Sequence, residues 1–408
     1  MNKWFLMENK LNIKITTDIT IYTTTDFPYG GAAENLLRQM AIGLNAKNAH
    51  VKVILLRGHY LDKKINDTGI DCNCLLFKKR FRNELLKFLE LILMILTIPF
   101  SIIRIRMNSK KAVILLYGVE YFYSVIPFIL SAWIFGFKVY RIVTDRYPKK
   151  GIVPVWWKKS KYFFYRLQFT IFDKYLSGLI CLSNYLKENA IKNGIKANKI
   201  IVIPHFIDVE YFSKKYSQIE PFQKENIRLG FCGTLNESNG LFVLIKAFRL
   251  ILKKNSKMEL FLIGAISEGD LIATNEIMDG MLDSIIFAGK VPSIKIPELL
   301  TTCDILINPR ISSISAEAGF PTKLGEYFAT KRPVVATAVG DLKNNLENEN
   351  QLILVEPDSP QTLADGIIIL LENHKQAIKI GLNGFHWAKT NLDYLSNATI
   401  MLTFLQKK

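Results

Sequence analysis

Apolar residues in the first half of the chain come in short blocks broken by glycine, proline and polar clusters. Residues 19–25, ITIYTTT, are β-branched and aromatic and predict a strand. The turn Asp26-Phe27-Pro28-Tyr29-Gly30-Gly31 follows. Residues 32–45 then place Leu36, Leu37, Met40, Ile42 and Leu44 at helical spacing. Residues 51–56, VKVILL, predict the next strand, so the chain opens with a right-handed βαβ unit. Further strands are predicted at 112–117, 138–143, 178–182 and 200–203, and a helix at 184–193. Residues 213–226 are polar and unpatterned, which marks a linker. The pattern then restarts, with strands at 227–233, 259–264, 285–288, 305–307, 334–337 and 352–355. Helices are expected at 241–253, 297–302, 323–330 and 360–373, and residues 382–408 read as helical with no strand after them. Strands alternating with helices predict an α/β protein with two parallel-sheet units. The expected units are 1–212, a linker at 213–226, 227–385, and a terminal helix at 386–408 that packs back onto the first unit.

Two stretches depart from this rhythm. Residues 77–107 have a basic start, an apolar centre and a basic end, with Lys79, Arg80, Arg82, Lys87, Arg104 and Arg106 as the flanking cations. The uncharged run 91–103 falls short of the roughly 20 residues that span a bilayer, and Pro99 interrupts it. An interfacial membrane segment and a buried helix over the sheet both fit. The apolar, aromatic run 121–137 lies between two strands and reads as a core-packed crossover. Around Tyr147 to Lys161, Trp156 and Trp157 stand beside Lys149, Lys150, Lys158, Lys159 and Lys161, a composition suited to a membrane interface.

Charge sharpens that reading. Residues 1–212 hold 32 Lys and Arg against 15 Asp and Glu, whereas residues 213–408 hold 21 of each. The excess positive charge of the whole chain therefore sits in the first half and calls for an anionic partner there. No nucleic-acid fold signature accompanies the basic aromatic patches, so an anionic membrane surface or phosphorylated substrate is expected instead. The five scattered cysteines are read as reduced thiols, and Cys72-Asn73-Cys74 offers too few ligands for a zinc site. The N-terminus, MNKWFLMENK, has charges where a signal peptide needs an apolar run, so a cytoplasmic protein is expected.

Candidate chemistry concentrates at 304–341. A strand there meets an Asn-Pro break. A polar loop with Arg310 and Glu317 follows, then Gly319-Phe320-Pro321-Thr322 and a short helix with Lys323, Leu324 and Glu326. In open α/β sheets ligands bind at the carboxyl ends of strands. Arg310, Lys323 and the N–H groups of the helix start can meet a diphosphate there, and Glu326 can accept two hydrogen bonds from a ribose diol. A nucleotide sugar fits that set. In the first half, Gly30 and Gly31 form the first strand-to-helix loop, where a backbone can approach a ligand or turn tightly. Asp145 lies in the loops on the same side of the sheet. It is read either as orienting an acceptor hydroxyl or as a carboxylate paired with Arg146. His205, in the loop before the linker, reads as polar surface or as an acid or base.

These pieces resemble the family 4 glycosyltransferases of the GT-B fold, in which two Rossmann-like domains face each other across a cleft. The resemblance rests on Asp26 to Gly31, Cys181-Leu182-Ser183, Ile203 to Asp208, Gly233-Thr234-Leu235 with Gly240, Phe261 to Gly264, Phe287 to Val291, Asp304 to Pro309 and Pro321 to Tyr327. It implies that the C-terminal domain binds a nucleotide-activated sugar, that the N-terminal domain binds the acceptor, that configuration is retained and that no metal or other cofactor is needed. Glu326 matches the second glutamate of the family's E-x7-E motif, and Gly30 and Gly31 match its glycine loop near the donor phosphates. The first motif glutamate falls at Ala318, with Glu317 one residue away. The family's basic pair falls at Thr234 and Asn239, near Gly233, and neither is cationic. Arg310, Lys323 and Lys290 are then the candidates for the diphosphate charge.

The function expected from these observations is transfer of a sugar to a membrane-anchored or polysaccharide acceptor. The enzyme would sit peripherally on the inner face of the cell membrane. A GT-B sugar-nucleotide epimerase and a catalytically degenerate sugar-nucleotide-binding subunit share the fold and remain alternatives.

Overall fold

The computed structural model describes residues 17–28, 30–57, 68–77, 83–109, 111–145, 156–216 and 220–407. Tyr29, Lys79, Arg80, Arg82 and the stretch 146–155, with Arg146, Lys149 and Lys150, lie outside them. The side chains of Trp156, Trp157, Lys158, Lys159 and Lys161 are likewise not described.

Among the described residues, thirteen strands form two sheets. The first contains β1 (Thr17–Thr23), β2 (Ala49–Leu55), β3 (Asp71–Cys74), β4 (Val113–Tyr117), β5 (Lys138–Val143), β6 (Gly178–Cys181) and β7 (Ile200–Val202). The second contains β8 (Ile227–Cys232), β9 (Met258–Ile263), β10 (Ile285–Gly289), β11 (Ile305–Asn308), β12 (Val334–Thr337) and β13 (Ile353–Val355). The orders are β3-β2-β1-β4-β5-β6-β7 and β10-β9-β8-β11-β12-β13, and every strand pair is parallel. Parallel strands covered by helices on both faces read as continuous apolar runs. VILLY in β4 and VVAT in β12 are buried at every position for this reason.

In each sheet the order reverses once, between β1 and β4 and between β8 and β11. Loops leaving adjacent strands at such a point turn to opposite faces and open a crevice. Both crevices are therefore dictated by strand order, and the second lies between Gly233 and Pro309.

Two stretches of chain connect the halves side by side. Ile207 donates its N–H to the carbonyl of Leu392 at 3.0 Å, and Tyr394 donates to the carbonyl of Ile207 at 3.0 Å. The helix Tyr394–Gln406 then packs on the first domain. Its Ala398, Met401, Leu402, Phe404 and Leu405 join the first domain's core, and Tyr140 donates its hydroxyl to the Leu405 carbonyl at 3.3 Å. The helix before it, His374–Asn391, runs through position 385, where the sequence pattern had placed a unit boundary. The helix Val209–Tyr216 enters the stretch expected to be linker.

Residues 84–108 form one continuous helix, Glu84–Asn108, despite Pro99. Proline inside a helix removes one backbone hydrogen bond. Here the apolar packing of Met94, Ile98 and Ile102, all buried, holds the helix against the sheet on either side of that gap.

Candidate active site

The site is built where β8 and β11 diverge. Gly233 follows β8 with φ of +140°, a conformation open to glycine and strained for other residues. A Cβ there would lie 1.9 Å from the Lys323 Nζ, so the lysine occupies the space a side chain would take. The next turn, capped by the Asn236 side chain, ends at Gly240, whose added Cβ would lie 1.7 Å from the Pro309 carbonyl oxygen. The two diverging loops are thus in direct backbone contact, which brings the carboxyl ends of β8 and β11 together.

The helix Thr322–Ala329 begins after Pro321 and buries Leu324, Tyr327 and Phe328. Tyr327 accepts from the Cys232 N–H at 2.8 Å, which ties this helix to the end of β8. That contact points Lys323 and Glu326, three residues apart and on one helical face, toward the β8 loop. The Lys323 ammonium sits 4.5 Å from the centre of the Phe231 ring. Burial pulls its pKa down to about 8, an effect that Arg310 adds to and Glu326 opposes. Burial pushes the Glu326 carboxyl up to about 7, with Lys323 opposing. Both side chains keep part of their surface open, so the dense surroundings raise the cost of charge without closing the groups off.

Arg310 follows the Asn-Pro break at the end of β11. Its Nη2 donates to the Ser315 carbonyl at 3.4 Å, and Thr337 donates its hydroxyl to the Arg310 carbonyl at 2.7 Å. Among the described residues the buried Nε of Arg310 and the buried Nδ2 of Asn308 have no hydrogen-bond partner. Buried donors are rarely left unpaired. Two such donors at the end of one strand, beside a lysine, suit an anionic ligand.

The other predicted residues are distributed as follows. Thr234 is exposed on the β8 loop, and Asn239 spends its amide on the Thr234 carbonyl at 2.9 Å, holding that loop. Lys290 is exposed beyond β10, the outer strand of the sheet, three strand positions from β11, and is not brought to Arg310. Gly30 and Gly31 are exposed, and the Gly31 N–H donates to the Glu34 carboxylate at 2.7 Å at the start of the helix Ala32–Ala46. Gly31 has φ of −88°, so this loop does not use left-handed geometry there.

Glu317 lies on a short helix, Ile314–Ala318, within the stretch read as loop, and pairs with Lys343 at 3.7 Å. Ala318 is fully buried, and its carbonyl accepts the Ser183 hydroxyl from the other domain. The motif position is thus enclosed at the contact between the two domains. Asp145 accepts the Ser315 hydroxyl at 3.1 and 3.2 Å, an interdomain contact one residue from Ala316.

The pattern missed several residues that close the two halves together. Asp341 accepts from the Asn184 N–H at 2.7 Å and from its side-chain amide at 3.2 Å. Ser183 stands just before the predicted helix 184–193 and caps it by accepting from the Leu186 N–H at 3.2 Å, but nothing in its spacing announced the bond to Ala318. His205 is buried rather than on the surface: its ring faces Phe320, with centroids 6.4 Å apart, and its carbonyl accepts from Asn397 at 2.7 Å. Burial lowers its pKa to about 4.

Comparison with known proteins fits this geometry. Residues 226–373 match the family model described as "Glycosyl transferases group 1". An uncharacterized glycosyltransferase of Methanocaldococcus jannaschii is 26% identical over 234 residues, covering 57% of this chain and 58% of that protein. A Bacillus subtilis protein, TuaC, named as a teichuronic acid biosynthesis glycosyltransferase, is 26% identical over 201 residues, 47% of this chain and 46% of that one. The chain thus spans about half to three-fifths of the length of these curated relatives. The structure of Anabaena Alr3699/HepE in complex with UDP superimposes with a TM-score of 0.71 at 16% identity, covering 95% of this chain and 99% of that one. The chain has the GT-B fold, and residues 226–373, within its second Rossmann-like half, are similar to the group 1 glycosyltransferases.

Proposed function

We propose that the protein is a retaining glycosyltransferase that moves a sugar from a nucleotide-sugar donor to a membrane-anchored or polysaccharide acceptor. One observation bears most of the weight. Lys323, Glu326 and Arg310 converge where β8 and β11 diverge, beside donors that lack partners. In this reading Lys323, Arg310 and the N–H groups at the start of the helix Thr322–Ala329 stabilise the leaving diphosphate. Preorganised cations and dipoles in a partly dehydrated site act most strongly on charge that develops during reaction. Pro321 and Thr322 set the helix start, Leu324 anchors it in the core, and Glu326 accepts hydrogen bonds from the ribose diol. Gly233 leaves room for Lys323. Thr234 and Asn239 shape the loop beside it, and Gly30 and Gly31 face the donor from the other domain.

Asp145, held by Ser315, lies on the acceptor side and orients the attacking hydroxyl. Glu317, paired with Lys343, flanks the donor. Retention in this reading follows from attack on the same face as the departing phosphate. The reaction in this reading uses no metal. The name of the Bacillus relative supports a cell-surface polysaccharide as the product class.

The test is product analysis on the full chain with a panel of nucleotide sugars, with and without extracted lipid-linked or polymeric acceptors. Acceptor-dependent release of nucleoside diphosphate, with an α-linked product from an α-linked donor by proton NMR, is the expected result. Epimerised nucleotide sugar formed without acceptor would overturn the reading. So would binding with no turnover on any acceptor.

A further inference from the structure

The helix Glu84–Asn108 has two faces with opposite fates. Glu90, Met94, Ile98 and Ile102 are buried against the domain, and the Tyr22 hydroxyl bonds the Ser101 hydroxyl at 2.7 Å. The other face presents Leu89, Ile92, Leu96, Phe100, Ile103 and Met107 to solvent at spacings of three and four. Leu96 is 58% exposed and Phe100 72%. This stripe follows a 25-residue helix, about 37 Å at 1.5 Å per residue. The neighbouring helix Phe122–Phe135 packs beside it and adds Leu130, Ile134 and Trp133, the last 86% exposed. An apolar surface of this extent is far more than the scattered exposed residues of an ordinary domain.

We propose that this face is the protein's membrane seat. The two helices lie in the plane of an anionic leaflet, with their outer side chains in its acyl boundary. Three observations select a bilayer over other occupants. The exposed apolar side chains run continuously along one helix, a linear stripe that suits a fluid apolar phase. Arg104 is exposed near the carboxyl end of the stripe, so a cation borders the apolar face there. The domain that bears it holds 32 Lys and Arg against 15 Asp and Glu. Anionic headgroups complement that field, whereas a second copy would bring the same positive border against it.

The helix is long and apolar enough to cross a membrane, with mean hydropathy 2.1. Crossing would tear Met94, Ile98 and Ile102 from the core and break the Tyr22–Ser101 bond. Lying flat keeps both and still buries the outer stripe. This seat does not depend on the chemistry proposed above, although it would bring the cleft to a membrane-anchored acceptor.

Flotation of the full chain with vesicles of phosphatidylcholine containing 30% phosphatidylglycerol tests the proposal. The wild type is expected to float. The triple variant Leu96→Glu, Phe100→Glu, Trp133→Glu should bind at least tenfold more weakly. Arg104→Glu should weaken binding to the anionic vesicles and leave residual binding to pure phosphatidylcholine unchanged. The substituted apolar side chains are exposed, so an unchanged melting temperature in detergent-free buffer shows that the fold survives. Equal flotation of wild type and triple variant overturns the seat, as does failure of the wild type to float. Concentration-dependent dimerisation of the wild type that the triple variant abolishes, without flotation, would assign the face to a second copy. Nucleotide-sugar binding measured on the same proteins separates failure of this inference from failure of the glycosyltransferase reading.

Discussion

Donor binding should follow a bell-shaped pH profile set by two residues. In the proposed role Lys323 acts as an ammonium and Glu326 as a carboxylate. The first loses its proton as pH rises through about 8, and the second gains one as pH falls through about 7. Affinity therefore falls on both sides of a narrow optimum near pH 7.5. With those two values, about 0.6 of the molecules carry both charges at the optimum, about 0.03 at pH 5.5 and about 0.09 at pH 9. Apparent affinity scales with the competent fraction, so the dissociation constant should rise about 20-fold at pH 5.5 and about sixfold at pH 9. The diphosphate of a nucleotide sugar is fully ionised throughout this range, which leaves the protein groups as the source of the curve. Isothermal calorimetry at half-unit intervals, with a nucleotide sugar selected by thermal shift, measures it. Glu326→Gln should remove the acid limb and move the alkaline limb to lower pH, and Lys323→Met should remove the alkaline limb, move the acid limb to higher pH and weaken binding at every pH, because each charge holds the other. A flat profile in the wild type, or both limbs intact in both variants, refutes the assignment.

Three other outcomes follow from the packing. Gly233→Ala puts a Cβ where the Lys323 ammonium lies and strains a backbone at φ +140°, so donor affinity should fall at least tenfold and stability by about 1–3 kcal/mol; calorimetry and urea melts check both, and unchanged binding would remove Lys323 from the site. His205 has its folded pKa depressed to about 4 against an ordinary 6.5, so the stability it contributes is complete above pH 6.5 and declines as pH falls toward 4. The loss is about 3 kcal/mol, and His205→Asn should remove that part of the urea-midpoint change between pH 7 and 4. Arg141→Leu leaves the carboxylate of Asp173 buried without its guanidinium partner, although Gln168 still donates to it at 2.6 Å. The expected loss is about 3–5 kcal/mol in chemical denaturation, and a loss under about 1 kcal/mol would show that the pair is dispensable.

Much of the fold was legible because parallel strands buried on both faces leave uninterrupted apolar blocks. The blocks at 19–25, 112–117, 227–233 and 334–337 lie on β1, β4, β8 and β12. The strand β3, with the sequence DCNC, was invisible because it lies at the sheet edge, where half its residues face solvent and no apolar run is needed. The helix Glu268–Met278 was missed for a similar reason: it buries only Thr274 and Met278. The 84–108 segment could be read as interfacial or as core because composition along a helix does not state which side is covered. The structure shows one face buried against the sheet and the other exposed.

The sequence by itself determined the alternation of strands and helices, the placement of the positive charge in the first half and the grouping of Arg310, Lys323 and Glu326 within one strand–helix unit. Those are local properties, set by side-chain periodicity and by residues less than one helix apart. Only the tertiary structure decided which of the candidate cations share a site. Strand order sets Lys290 at an outer edge and brings Gly233 against Lys323 across 90 positions of chain. It also decided that Ala318 is buried against Ser183, that His205 is enclosed and that Asp145 meets Ser315. Such contacts depend on how two separately folded sheets come together, and no periodicity within either sheet encodes that.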